Sequence, residues 1–251
     1  MTSVFLGLLW LGPTAAMANE PTFWKNWFYR HHRRQLVVDR AVPQPEEGRT
    51  VLLIPGTTIG TEFFDPMVAR LRADGYRTVV YSPEDLFTES LVQGAENIGI
   101  EVERILAETG EDQLLVVAEC DGGVASRYYA QVLGGHDRIA HLVTFVAAHN
   151  GTRLAGLAAA FSPFEALQDI RPKSDFMTEL NSAEFPVDFQ MTSIYSCRDK
   201  LMKPYETSVV PGATNIEFCD HKVGHFDGFW DPVVYETIRA ALEQPQDLSA
   251  I

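Results

Sequence analysis

Three residues far apart in this chain carry side chains that can build a nucleophilic site: Cys120, Asp199 and His225. A thiol attacks as its thiolate, an imidazole can take the thiol proton, and a carboxylate can fix the imidazole's tautomer. Their order along the chain is nucleophile, acid, base. The apolar run Leu114-Leu115-Val116-Val117 has strand character and stops at Ala118. Glu119, Cys120, Asp121 and the pair Gly122-Gly123 follow, and Val124 to Ala130 reads as a helix. Strand, sharp turn and helix are the setting of a nucleophile elbow, whose central residue is strained and presents its side chain. The neighbours must be small where strand and helix backbones pass, as Ala118, Gly122 and Gly123 are. Asp199 lies four residues past Tyr195, beyond one expected strand, and His225 follows another, in Val223-Gly224-His225-Phe226. A lone loop Asp is usually a turn or cap, and a lone His a packed or surface side chain. Three such residues, in this order and beyond the carboxyl ends of strands, read as a site.

Two carboxylates flank the cysteine. Glu119 and Asp121 oppose a thiolate if they face it, whereas His225 favours one. They either hold the thiol protonated at rest or act as general acid and base once substrate is bound. His221 and His225, with Cys219 and Asp220, have a spacing that could hold a metal. A triad histidine with incidental neighbours explains them better, so no metal and no organic cofactor is expected. Pro55-Gly56-Thr57-Thr58-Ile59-Gly60 has too few glycines for a phosphate loop and lacks its lysine.

The elements that position these residues follow from periodicity. Thr50 to Ile54 is a short buried strand, and a helix spans about Phe63 to Ala73 and stops at Gly75. Tyr76 to Tyr81 is a strand. Ile98, Val102, Ile105 and Leu106 mark a helix from about Ala95 to Glu108, capped by Gly110. After the elbow come strands over Ile139–Val146, Gln190–Tyr195 and Asn215–Phe218, and a helix over about Pro232–Glu243. Alternating strands and helices predict an α/β domain with a mostly parallel sheet covered on both faces. Residues 152–186 lack a strand pattern and read as a lid-like excursion.

The 251 residues suit one such domain over residues 43–251, after an N-terminal apolar and aromatic segment at 1–42. With 34 acidic against 20 basic residues, the net charge of −14 excludes a general nucleic-acid binder. Three cysteines are too few for a disulfide scaffold. Cys197 follows one expected strand and Cys219 ends the next in sequence, so the two could lie close in space; they are expected as free buried thiols, a disulfide between them being the less favoured alternative. Val4 to Leu11 with Ala16-Met17-Ala18 resembles a signal peptide, but no basic residue precedes the run, which weighs toward a cytoplasmic chain over an exported one. The competing readings of this segment, through Phe23, Trp24, Trp27, Phe28 and Tyr29, are a helix over an acyl-binding cleft, core packing, or membrane contact closed by Arg30-His31-His32-Arg33-Arg34.

From about residue 50 to 243 the chain resembles the bacterial triacylglycerol lipase and esterase branch of the α/β-hydrolases. Thr144 to Thr152 is similar to that branch's Thr-x-x-x-Pro-His-x-Gly-Thr segment, which explains Asn150-Gly151-Thr152 better than a glycosylation acceptor does. Arg171-Pro172-Lys173-Ser174 resembles its Arg-Pro-Gly-Ser motif, Ser193 to Ser196 with Asp199 its acid loop, and Val223-Gly224-His225 its histidine loop. The departures are specific. Gly-His-Ser-x-Gly-Gly stands here as Ala118-Glu119-Cys120-Asp121-Gly122-Gly123, and the His-Gly of the oxyanion strand as Pro55-Gly56. The resemblance implies an α/β-hydrolase fold and an oxyanion hole from the backbone N–H groups of Thr57 and Asp121. It implies acyl transfer by a Cys120–His225–Asp199 triad, for which dienelactone hydrolases are the cysteine precedent. The expected activity is hydrolysis of an ester, lactone or thioester through an acyl-cysteine, on an apolar acyl substrate free or carried. The alternatives are a biosynthetic acyltransferase, cyclase or lyase, and a non-catalytic acyl-binding relative.

Overall fold

A computed structural model describes residues 42–83 and 87–243. Within them six strands, β1 (Thr50–Ile54), β2 (Arg77–Val80), β3 (Leu114–Glu119), β4 (Ile139–Phe145), β5 (Met191–Ser196) and β6 (Thr214–Phe218), form one parallel sheet in the order β2-β1-β3-β4-β5-β6. Every residue of β1, β3, β4 and β5 is buried, as a sheet covered on both faces requires. Alternate side chains divide between two cores. Leu52, Ile54, Leu114, Val116 and Ala118 pack on α2 (Leu91–Thr109) and α3 (Cys120–Gln131) through Ile98, Val102, Ile105 and Val124. Val51, Leu53, Leu115 and Val117 share the other core with Met67 and Leu71 of α1 (Asp65–Ala73) and Val234 and Ile238 of the C-terminal helix, Pro232–Leu242.

The chain runs outward from β1 to β2 and then crosses back to β3 on the far side of β1. That reversal opens a crevice at the carboxyl ends of β1 and β3, the place where such sheets take ligands. The pairing of Ile54 with Ala118 sets Pro55-Gly56-Thr57 against Glu119-Cys120-Asp121 across it.

Two elements differ from their expected extents. Helix α2 begins at Leu91, where the Ser90 side chain accepts from the Val92 N–H, because Gly94 is a packing glycine and not a breaker. A Cβ there would stand 2.8 Å from the Phe87 ring. The 152–186 excursion holds three short helices: α4 (Arg153–Ala158), α5 (Glu165–Asp169) and α6 (Asp175–Ser182). Its second half is core. Phe176 stacks on Tyr128 with centroids 4.8 Å apart, the Tyr128 hydroxyl donates to Glu179 at 2.8 Å, and Ile170, Met177 and Leu180 are buried. Only the first half presents large apolar side chains to solvent, Leu157 and Phe161. The C-terminal helix, α7, starts under the Asp231 cap.

Cys197 and Cys219, expected as free thiols, are disulfide-bonded. The parallel pairing of β5 with β6 brings Ser196 beside Phe218, so the next residues meet with Cα atoms 5.3 Å apart, within bridging range. No helix among the described residues is long and apolar enough to cross a membrane. The readings of the N-terminal apolar and aromatic segment fall on residues 1–41, outside the described ones.

Candidate active site

Cys120 sits at the turn between β3 and α3 with φ of 50°, the left-handed region that a non-glycine residue occupies at a cost of about 1–3 kcal/mol. The turn is made possible by contacts only glycine permits. A Cβ on Gly122 would lie 2.1 Å from the Pro55 carbonyl oxygen. One on Gly56 would lie 2.5 Å from Glu119 Oε2 and 2.6 Å from Cys120 Cβ. The two glycines therefore let the β1 and β3 loops close on one another. Cys120 remains partly open to solvent, while Glu119 and Asp121 on either side are buried.

His225 and Asp199 reach the same place from β6 and β5. The Asp199 carboxylate is locked by the Leu201 and Met202 N–H groups, which donate to its Oδ1 at 2.7 and 3.0 Å. Its other oxygen holds His225 Nδ1 at 2.7 Å. Nε2 is thereby turned toward Glu119, whose Oε1 stands 3.4 Å away. Donor atoms of Glu119, Cys120 and His225 all lie within 4.8 Å of one another. The Cys120 thiol makes its hydrogen bond with Asp121 Oδ1, at 3.6 Å, and not with the imidazole.

Thr57, expected to act through its backbone, also has its hydroxyl in the site. Oγ1 is 2.6 Å from Asp121 Oδ2 and 2.9 Å from the Phe87 carbonyl oxygen. A hydroxyl has one hydrogen and a carbonyl can only accept. Thr57 therefore donates its single hydrogen either to the Phe87 carbonyl or to Asp121 Oδ2. Burial raises the Asp121 carboxyl, partly offset by Thr57, His225 and Cys120.

The electrostatics are those of three acids around one imidazole. Burial, and then the negative charges of Asp121, Glu119 and Asp199, push the Cys120 thiol well above its ordinary value. Burial pushes Glu119 up to about 7 against the pull of His225 and the Gly56 N–H. Burial works to lower His225, but Asp199, Glu119 and Asp121 outweigh it and the imidazole is raised. The ion pairs of Glu119 and Asp199 among the described residues are with His225 alone.

Glu119 carries a role the sequence left half-read. Its Oε2 accepts from the Gly56 N–H at 2.9 Å, which ties the two loops together. Its Oε1 is wholly buried and has no hydrogen-bond partner, the 3.4 Å approach of His225 Nε2 not meeting hydrogen-bond geometry. No sequence signal marks the Gly56 donor or the Thr57 hydroxyl, since both depend on the crossing of β1 beside β3.

The metal grouping weighed from sequence is not assembled. Cys219 is in the disulfide, and His221 Nε2 bonds Asp231 Oδ2 at 2.8 Å. His149, of the Thr144–Thr152 segment, is a buried structural residue bonded through Nε2 to Thr144 Oγ1 at 3.0 Å. The Asn150 amide is spent on the Thr207 and Val209 carbonyls, at 2.9 and 2.8 Å.

A six-stranded parallel sheet with helices on both faces, an elbow after β3 and loops converging at the switch point is the α/β-hydrolase fold. The structure superposes on the mature lipase BlEst2 of Bacillus licheniformis with a TM-score of 0.69 at 12% identity, over 80% of this chain and 96% of that one. Aspergillus fumigatus lipase B gives 0.69 at 17% identity, over 87% of this chain and 61% of the lipase. MGS-MChE2, an α/β-hydrolase from a lagoon-sediment metagenome, gives 0.56 at 13% identity, over 79% and 91%. No protein-family model matches the chain.

Proposed function

We propose that this protein is an acyl hydrolase acting on an ester, lactone or thioester through an acyl-cysteine on Cys120. The observation that carries the reading is the pairing of an elbow cysteine at φ 50° with a buried imidazole whose Nδ1 is fixed by Asp199 at 2.7 Å. The lipase and hydrolase neighbours support hydrolysis on this fold. In the acylation step the thiol gives its proton to His225 Nε2 and the sulfur attacks the carbonyl carbon. The oxyanion takes the N–H groups of Asp121 and Thr57. The C–O or C–S bond then breaks, and the leaving alcohol or thiol receives the proton from His225, which returns the imidazole to its neutral form. Water, giving a proton back to His225, releases the carboxylic acid and restores the thiol.

With three acids nearby, the resting nucleophile is a thiol, so easily expelled leaving groups are favoured. Thioesters and strained lactones fit that demand better than alkyl esters. A buried unpartnered Glu119 oxygen beside the imidazole favours, as second reading, an acyltransferase, cyclase or lyase that uses Glu119 and Asp121 as acid and base. Turnover of acyl thioesters and p-nitrophenyl esters by the wild type, Cys120→Ala and His225→Ala separates these. Release of free acid by the wild type alone supports hydrolysis. A stable product other than the acid supports the second reading, and no consumption of any substrate by folded wild type defeats both.

A further inference from the structure

The acyl-transfer reading leaves one atom of the site without work. Glu119 Oε1 is wholly buried and unpartnered, 3.4 Å from His225 Nε2, and a Glu119 oxygen lies within 4.8 Å of the Cys120 sulfur. From these positions we infer that Glu119, Cys120 and His225 form a three-ligand site for a borderline-soft divalent cation of the Zn2+ class, its fourth position open toward solvent.

The donor set is the first argument. Thiolate, imidazole and carboxylate together are the ligands that tetrahedral zinc prefers, and three protein ligands with one open position make an exchangeable site. Geometry is the second. Nitrogen and oxygen donors each about 2.0–2.1 Å from a tetrahedral ion stand about 3.3 Å from one another. Glu119 Oε1 and His225 Nε2 are 3.4 Å apart. A thiolate about 2.3 Å from the same ion would stand about 3.6 Å from each. The three donors lie within 4.8 Å of one another, so the sulfur has at most about 1.2 Å to close to reach that spacing.

The surroundings are the third. Asp199 on Nδ1 completes the carboxylate–histidine–metal arrangement that fixes the tautomer and raises the basicity of Nε2. The Gly56 N–H on Oε2 fixes the carboxylate's orientation and favours its charged form, leaving Oε1 to bind. Glu119 and Asp199 have no lysine or arginine partner among the described residues, and a dication would compensate their charge and that of the thiolate.

The consequence rests on the hydrolase reading. A cation held by Sγ and Nε2 removes both nucleophile and base, so metal binding and acylation of Cys120 exclude one another. The binding itself does not depend on that reading.

The test uses the full, untagged chain stripped of metal and titrated with Co2+, then Zn2+. One equivalent of Co2+ should produce a thiolate-to-cobalt charge-transfer band and visible ligand-field bands, both erased by Zn2+. Cys120→Ala should abolish the charge-transfer band. Asp199→Asn, which acts through His225, should weaken binding by roughly 10–100-fold, and Glu119→Gln and His225→Ala by more. Glu119→Asp, which keeps the charge and withdraws the oxygen, checks that Glu119→Gln acts at the metal and not on folding. A band absent from the wild type overturns the site, and so does one whose affinity is unchanged in Glu119→Gln. If thioester acylation is measurable, one equivalent of Zn2+ should stop it and a chelator restore it. Acylation that proceeds with Zn2+ bound overturns the exclusion alone.

Discussion

Replacing Glu119 by glutamine keeps the side chain's shape and its acceptor for the Gly56 N–H but removes the charge nearest the imidazole and the thiol. Two unit charges 4.8 Å apart, the outer limit for the Glu119 and Cys120 donors, interact by about 3.5 kcal/mol at an effective dielectric near 20. Glu119 is pushed up to about 7, so near neutrality roughly half of the molecules carry that charge. Because the protonated half already has an unrestrained thiol, removing the charge raises the thiolate population about twofold at pH 7 and about tenfold at pH 8. The assay is the rate of iodoacetamide alkylation of Cys120, followed by intact mass between pH 6 and 9 in the presence of chelator. Glu119→Gln should react about twofold faster than wild type at pH 7 and about tenfold faster at pH 8, and the gap should close below pH 6, where Glu119 is already protonated. Equal rates in two folded proteins would refute the claim that Glu119 restrains the thiol.

The same carboxyl links folding to pH. Its folded value of about 7 lies above the unfolded 4.5, so its protonated form stabilises the fold below pH 4.5 and that stability is lost as pH rises through 7. The wild type should lose about 3 kcal/mol relative to Glu119→Gln between pH 4.5 and 8, read by urea unfolding of both; parallel pH profiles would contradict it. Gly56→Ala forces a methyl against Glu119 Oε2 and Cys120 Cβ and should cost about 1–3 kcal/mol together with most of the alkylation reactivity. Phe176→Ala, in the half of the excursion that is core, should cost about 3–5 kcal/mol, whereas truncating an exposed lid would leave the unfolding midpoint unmoved. Thr57→Val removes the hydroxyl that binds Asp121 and should lower thioester turnover while leaving Cys120 alkylation within about twofold.

The parts of this molecule legible in its sequence are those written locally. The buried strands, the glycines of the elbow and the capping Gly110 are short-range signals, and each element formed within a few residues of its expected place. Asp199 and His225 were legible because the order of elements fixes which strand ends face the crevice. What was not legible depends on the crossing of distant segments. Cys197 and Cys219 pair only because β5 and β6 run side by side. Residues 165–182 lack a strand signal, yet their apolar stripe meets α3, so they read as part of a lid-like excursion and fold as core. Glu119 was visible as an acid beside the nucleophile. That its two oxygens divide between Gly56 and His225, 63 and 106 residues away in sequence, follows only from the sheet order.

The central claim is that Cys120 is an acyl-accepting nucleophile activated by His225. Intact-protein mass spectrometry tests it most directly, after brief incubation with acyl thioesters and p-nitrophenyl esters of several chain lengths under chelation. An acyl mass increment on the wild type, mapped to Cys120 and absent from Cys120→Ala and His225→Ala, is the predicted result. A folded wild type that takes up no acyl group while Cys120 remains open to iodoacetamide, or one acylated equally without His225, would contradict the account.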